Sequence, residues 1–583
     1  MARAKRQASL AQVVAALAAS GGNVSAAGRA LRAAGYRASR QTIARRRDAA
    51  AAAGHVVEFP PWTPSQGEAR PADYGAPGKP LIAGQVGGVE VVRRPLPARG
   101  RVRRYILAGA TNNTPIHAQF WRGLEALADR WGAEILIRRL AYNLNAYRRL
   151  GAETELTAAG DGSAAEVYYA EQVRPHICED RVELAPGLHW CGDIPITATA
   201  ADPLSGLQTI SGAASGIFAA TSVALEAIAT PKHLPAKMNF TTGAVTMRNY
   251  SRTKTGEKAR WHHAYAALMV EVDAEGDWFA RQLIAGEGGR FNDLGLTIDG
   301  ETITPGDNLA AITLGDIHAV KCAAPVRDAI IGPGGLVDQL RPRELHTHDL
   351  HDHESRNHHT RGKPFERFRL YRNGRDTVLD ELKHSASFLA LAARDWLAVV
   401  VVDSNHHDHL ERYLQESDWR DDPPNMRFHL RAAERRLQAI EEGERDFLLF
   451  EWACREAGAP LEAIFLRPDQ SHVVEGVECG QHGHNGPNGA RGSVRNLARM
   501  GSKSNIGHGH GPGIRQGCWM AGVTGGDPVT LDMGYNKGPG NWVRAHIGTY
   551  IGGKRTMIIM RGLKFRAEGE IERADTSKQM ETR

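Results

Sequence analysis

The sequence predicts a multidomain α/β protein, and three observations predict it. The chain has 583 residues, more than one hydrophobic core organises, so several domains are expected. Residues 105–143 read as a strand (YILAGATNNT), an amphipathic helix (IHAQFWRGLEALADRWG) and a second strand (AEILIRRLAYN), the repeating unit of an α/β domain. Residues 397–409, LAVVVVDSNHHDH, place four consecutive valines ahead of a burst of polar groups. Such a run reads as a strand buried on both faces, as in a covered parallel sheet. Ligand sites in open α/β sheets lie beyond the carboxyl ends of strands, so this exit is a candidate for metal or phosphate chemistry. The plainer alternative is a polar loop after a core strand.

Composition narrows the class. Hydrophobic residues at 42% and charged residues at 24% are ordinary for a globular chain and exclude a disordered one. No apolar run approaches the ~20 residues of a membrane helix. The basic, Ala-rich N-terminus lacks the apolar core of a signal peptide. Six cysteines without a C-x-x-C pair argue for a reducing cytoplasm and against a cysteine-type zinc site. A net charge of +6 is a weak pointer to nucleic acid. The 25 histidines, clustered after residue 315, are the feature that stands out.

In chain order, residues 1–58 hold three short helices. Ser9 to Ala19 has helical spacing, Ser20 to Asn23 breaks it, and Ser25 to Ala33 makes a second helix. Ser39 caps a third, Arg40 to Ala49. The pattern resembles a helix-turn-helix DNA-binding domain, in which Arg40 and Gln41 reach base edges while Arg45 and Arg46 suit phosphates. A small basic bundle is the alternative. Residues 59–104 form a Pro/Gly/Arg-rich linker with one hairpin at GGVEVVRR. Residues 105–305 form a middle α/β domain of no readable chemistry. Further strands are expected in GLHWCGDIPITAT, GLQTISG, AKMNFTTGAVTMRNY and HHAYAALMVEVD, and SRTKTGEKAR is expected as a basic loop. Residues 306–570 carry the chemistry, with a helical insertion over Glu411–Gly458 and a terminal hairpin at HIGTYI-GG-KRTMIIM; residues 571–583 are a charged tail.

Five stretches of this last domain end in donor groups. AAITLGDIH ends on Asp316 and His318, two residues apart at a strand end, where they point the same way and can share one metal ion. ELHTHDLHDHESRNHH contains Asp349 and Asp352; then come Asn405-His406, a Gly-rich loop with His482 and His484, and NIGHGHGPG with His508 and His510.

In order these read D-x-H, H-D-x-x-D, N-H, H and G-H-x-H. The order resembles the calcineurin-like metallophosphoesterase superfamily, whose pattern is D-x-H, G-D-x-x-D, G-N-H-[DE], a lone His and G-H-x-H. The resemblance covers Ile312 to Ile559 and departs from the pattern at His348 and Ser404, which stand in place of glycine, and at His407, in place of an acid. It implies a four-layer αββα sandwich, its second sheet completed by the terminal hairpin. It also implies two divalent metal ions bridged by Asp349, one completed by Asp316, His318 and His510, the other by Asn405, His482 and His508. Carboxylate, amide and imidazole donors fit manganese, iron or zinc, and the family's nucleases favour manganese. His406 would stabilise or protonate the leaving oxygen, and Asp352 would orient the ligands. His484 in place of His482, and Asp352 in place of Asp349, remain open. His346, His348, His351, His353, His358 and His359 exceed what two ions take up and are expected to meet phosphate or solvent. Arg356 and Arg491 flank the motifs and are expected to neutralise substrate phosphate.

A narrower resemblance rests on GATNNTPIH, AEILIRRLAYN, SRNHH, CGQHGHNGPNGARGS and NIGHGHGPGI. These look like the large early nucleases with which tailed bacteriophages degrade host DNA. That implies a DNase of the host cytoplasm, with DNA as partner, no membrane, and a homo-oligomeric assembly. The alternatives are a phosphatase of the same superfamily, acting on protein or small-molecule phosphates, or a non-catalytic DNA-binding or DNA-delivery protein.

Overall fold

A computed structural model describes residues 84–86, 89–142, 168–357, 360, 362–531, 533–534 and 537–568, and six positions before them. The chain divides into two compact units, Met1–Ala76 and Pro77–Arg583. In the first, Gln12, Ala15, Ala16, Ala30 and Leu31 are helical. The expected helix-turn-helix otherwise lies outside the described residues, as do Arg40, Gln41, Arg45 and Arg46.

The second unit is mixed α/β with several sheets. Its organising element is a six-stranded sheet, ordered Ile464–Phe465, Ala398–Val401, Glu344–Thr347, Leu309–Thr313, Ala545–Tyr550, Arg555–Ile559. The first four strands run parallel and the last two form an antiparallel hairpin. The valine run predicted as a buried strand occupies the middle of the parallel part, with Val400, Val401 and Val402 buried. Alternation sends Leu345, Val399 and Val401 into a core with Ile330, Leu336, Leu382 and Leu389 of the flanking helices. The other face carries Glu344, His346 and His348, so it is polar where the first is apolar.

The terminal hairpin departs from expectation. It extends the parallel sheet through Leu309–Thr313 and does not complete a second one. SRTKTGEKAR departs as well: Thr253 accepts a hydrogen bond from the Gly256 amide and starts a helix, Lys254–His262, where a loop was expected. Residues 206–212 (GLQTISG) form turns, not a strand. The strand–helix–strand unit is as predicted: Arg103–Thr111 and Ala133–Leu140 pair in parallel around the helix Ala118–Trp131. The helical insertion also forms, as Asp408–Glu416, Met426–Glu441 and Leu449–Glu456.

The segment 105–305 does not stand apart from the segment after it. A twelve-stranded sheet takes strands from both, and Leu225–Ile228 pairs antiparallel with Gly513–Arg515. One apolar cluster joins Trp190, Phe240 and Trp278 to Trp519, Ile547 and Met557. The six cysteines are free thiols. Among the described residues, no helix is long and apolar enough to cross a membrane.

Candidate metal centre

Three parallel strands end at one edge of the six-stranded sheet, and each exit loop carries donor groups. Leu309–Thr313 leads to Asp316 and His318, Glu344–Thr347 to Asp349 and Asp352, and Ala398–Val401 to Asn405 and His406. A second parallel pair, Val477–Glu478 and Lys503–Ile506, belongs to the twelve-stranded sheet and leads to His482 and to His508–His510. Five loops from two sheets therefore meet.

Two groups of donor atoms share the Asp349 carboxylate, and a third, of His318, Asp352 and His406, lies beside them. Asp316, His318, Asp349 and His510 offer atoms all within 4.8 Å of one another, and so do Asp349, His482 and His508. Asp316 Oδ2 is 3.1 Å from His510 Nε2, and Asp349 Oδ2 is 3.3 Å from His482 Nε2 and 4.0 Å from His318 Nε2. Asp349 Oδ1 and Asn405 Oδ1 are buried with no hydrogen-bond partner among the described residues. Buried acceptors are normally satisfied, and these two are oxygen donors suited to a cation. The set of carboxylates, an amide and imidazoles without thiolate fits divalent ions of the manganese, iron or zinc kind.

The backbone is bent to make this approach. His318, Asp349, His508 and His510 all have positive φ, between 43° and 69°. Each such residue costs roughly 1–3 kcal/mol and persists where the surroundings enforce it, which is typical of functional sites. Gly507 lets the loop close: a Cβ there would lie 2.4 Å from Asp316 Oδ1. With no side chain in the way, the His508 amide donates to that oxygen at 3.0 Å.

Burial and neighbours set the charge states. Burial pushes the Asp349 carboxyl up, but the imidazoles of His482, His406 and His318 hold it well below the usual range. Burial and Asp349 raise Asp316, and His510 and His482 bring it net below its ordinary value. Burial and the neighbouring His482 push His508 down to about 4, so it is neutral and able to ligate. Burial lowers His406, but Asp349 and Asp352 more than reverse this and raise it. Its Nδ1 lies 3.2 Å from the Asp352 carbonyl, and its Nε2 faces Asp349 Oδ2 at 3.9 Å.

Asp352 stands behind the ligands, 2.9 Å from His318 Nδ1 and 2.7 Å from Lys321 Nζ. It braces the His318 ring, and with His318 and His406 it forms a further cluster of donor atoms within 4.8 Å of one another. His484 lies outside both groups; its Nε2 accepts from the Asn485 amide at 2.9 Å. Arg491 is exposed on the loop that carries His482 and His484. Arg356 is a correction. It is 4% exposed and forked onto Asp422 by two 2.6 Å bonds, so its donors are not free for a phosphate. Four of the extra histidines are a second correction, because His346, His348, His351 and His353 are fully buried rather than solvated; His358 and His359 lie outside the described residues. His348 fills the expected glycine position, with its Nδ1 3.2 Å from His482 Nδ1 and the two rings stacked. His407, which stands where the resemblance expects an acid, stacks on Phe450 at 3.9 Å. Sequence reasoning missed Lys321 and Trp542, whose ring lies edge-on to His510 at 4.5 Å; neither stands in a motif.

Over 479 residues the chain is 36% identical to protein A1 of Escherichia phage T5, a match that spans 79% of this chain and 83% of that protein. The chain belongs to the protein A1 family. No family model matches it, and no solved structure does. The match covers too much of the chain to be confined to either segment, so the A1 family includes residues on both sides of position 305.

Proposed function

We propose that this A1-family chain is a two-metal-dependent phosphodiesterase of the metallophosphoesterase type that cuts DNA, and that it serves a bacteriophage early in infection by degrading host DNA. The observation that carries the reading is the pair of donor groups sharing Asp349 at the meeting point of five loops. Asp316, His318 and His510 would hold one ion, Asn405, His482 and His508 the other, with Asp349 between them. Ions in such a pair, manganese by preference, supply charge to neutralise a phosphodiester and lower the pKa of water.

The chain's own residues do the rest. Asp352 and Lys321 fix the His318 ring. The Asp352 backbone carbonyl accepts a hydrogen bond from His406 Nδ1–H, which leaves Nε2 aimed at the centre. A raised imidazole there holds a proton to give to the leaving oxygen. DNA rather than a small phosphate is favoured by the helix Pro364–Arg372. It exposes Phe365, Phe368 and Tyr371 among Lys363, Arg367 and Arg372, the mixture on which bases stack and phosphates pair. The helix reaches the centre through Arg369, Glu354, Lys321 and Asp352. Such a reader of DNA would also use the N-terminal unit.

A gel of linear and circular duplex DNA with Mn2+ titrated in tests this. Cutting is expected with the native chain and lost in Asp316→Ala and Asn405→Ala. Metal-loaded protein that hydrolyses a small phosphomonoester but leaves both DNAs whole would make it a phosphatase instead.

A further inference from the structure

Away from the shared centre, a fourth group of donors has formed between the two sheets. Glu344 and His346 alternate on the strand Glu344–Thr347 and point to the polar face. His472 precedes the edge strand Val473–Val474 of the twelve-stranded sheet. Glu344 Oε2 lies 3.0 Å from His346 Nε2 and 2.7 Å from His472 Nε2, with all three donor atoms within 4.8 Å. His346 is fully buried, while Glu344 and His472 keep about a quarter of their side chains exposed, which leaves a way in. The loop behind His472 is rigid: Glu478 accepts from the backbone amides of His472 and Gly480 and from the Ser471 hydroxyl.

We infer that Glu344, His346 and His472 form a separate zinc site that clamps the parallel sheet to the edge of the other sheet. Two imidazole nitrogens and a carboxylate are a common zinc donor set, with bonds of about 2.0–2.2 Å. Donors arranged tetrahedrally at that range sit about 3.3 Å apart. The three side chains need to spread by only a few tenths of an ångström to admit the ion, and water completes the fourth position. The clamp is structural. Its two halves are the strand that delivers Asp349 and the hairpin, Val473–Val474 with Val477–Glu478, that precedes His482. The site shares no residue with the central groups.

Zinc content per chain, measured on the full-length protein after chelation and reloading with Zn2+ alone, tests the inference. Glu344→Gln and His472→Ala should each hold about one ion fewer than the native chain. Zn2+ should also raise the melting temperature of the native chain by several degrees, as a ligand bound only to the folded state does, and this shift should vanish in His472→Ala. His472 is partly exposed, so its truncation removes little core. In an Asp316→Asn, Asp349→Asn chain the zinc-dependent shift should survive, which separates this site from the central one. Equal zinc content in native and His472→Ala protein would overturn the site and leave a hydrogen-bonded cluster in its place.

Discussion

At the scale of single residues, Asp349 is the carboxylate that two of the candidate donor groups have in common. Its carboxylate is the donor common to both groups, and Asp352 is already committed to His318 and Lys321. Asp349→Asn should therefore lose most bound Mn2+ at both positions, read as metal content by mass spectrometry after dialysis. His406 has a different signature, because its Nε2 faces Asp349 at 3.9 Å while its donor atoms group with those of His318 and Asp352 and not with the groups that share Asp349. His406→Gln should lower kcat for DNA cutting by about 10²–10⁴-fold while metal content stays at the native level. Equal loss of metal in His406→Gln would make it a ligand instead of a proton donor. These candidate donors were legible because they stand a few residues beyond strand ends. Arg356 was misread because its partner Asp422 lies 66 residues away, and no local spacing announces such a pair.

At the scale of elements, the loops matter as backbones as much as carriers of side chains. The loop Gly507–Gly511 brings the His508 amide to Asp316 only because position 507 has no Cβ. Gly507→Val should reduce cutting by at least tenfold and also lower the melting temperature, since the added carbons press on the buried Asp316 and His348. A second prediction concerns the helical insertion. Asp422 binds Arg356 on two sides and also accepts from Tyr413 and Asn425, tying the loop after Asp352 to the insertion. Asp422→Ala leaves a buried guanidinium without its partner, which costs about 3–5 kcal/mol. Urea unfolding should register that loss, and an unchanged midpoint would show that water replaces the carboxylate. The insertion was legible as helical from its charge spacing. Its role as an anchor was not, because that depends on which distant residue it meets.

At the scale of the whole molecule, the segment 105–305 belongs to the same unit as the centre, joined to it by a shared sheet and a shared core. Its own interior is pinned by charge. Glu271 lies 2.9 Å from Arg104 Nε and 2.8 Å from Arg281 NH1, and Arg281 also binds Asp293. Burial pushes the Glu271 carboxyl up, but Arg281 and Arg104 outweigh this and hold it at about 2, against an ordinary 4.5. The folded form thus prefers the ionised carboxylate, and the stability it contributes is complete above about pH 4.5 and is lost as pH falls toward 2. Thermal unfolding from pH 6 to pH 3 should show this slope in the native chain and a shallower one in Glu271→Gln, which should also be less stable at pH 6. A parallel slope in both chains would place the acid sensitivity elsewhere.

By itself the sequence determined the α/β character, the buried valine strand and the ordered donor groups, because side-chain direction follows from strand period and exit position. Only the tertiary structure decided which of many histidines face the centre, that Arg356 is spent on Asp422, and that the terminal hairpin joins the parallel sheet. It also decided that the sheet runs across residue 305. Those outcomes are pairings between segments far apart in the chain. Spacing along a backbone fixes where a group points, whereas what it meets is set by how whole sheets pack.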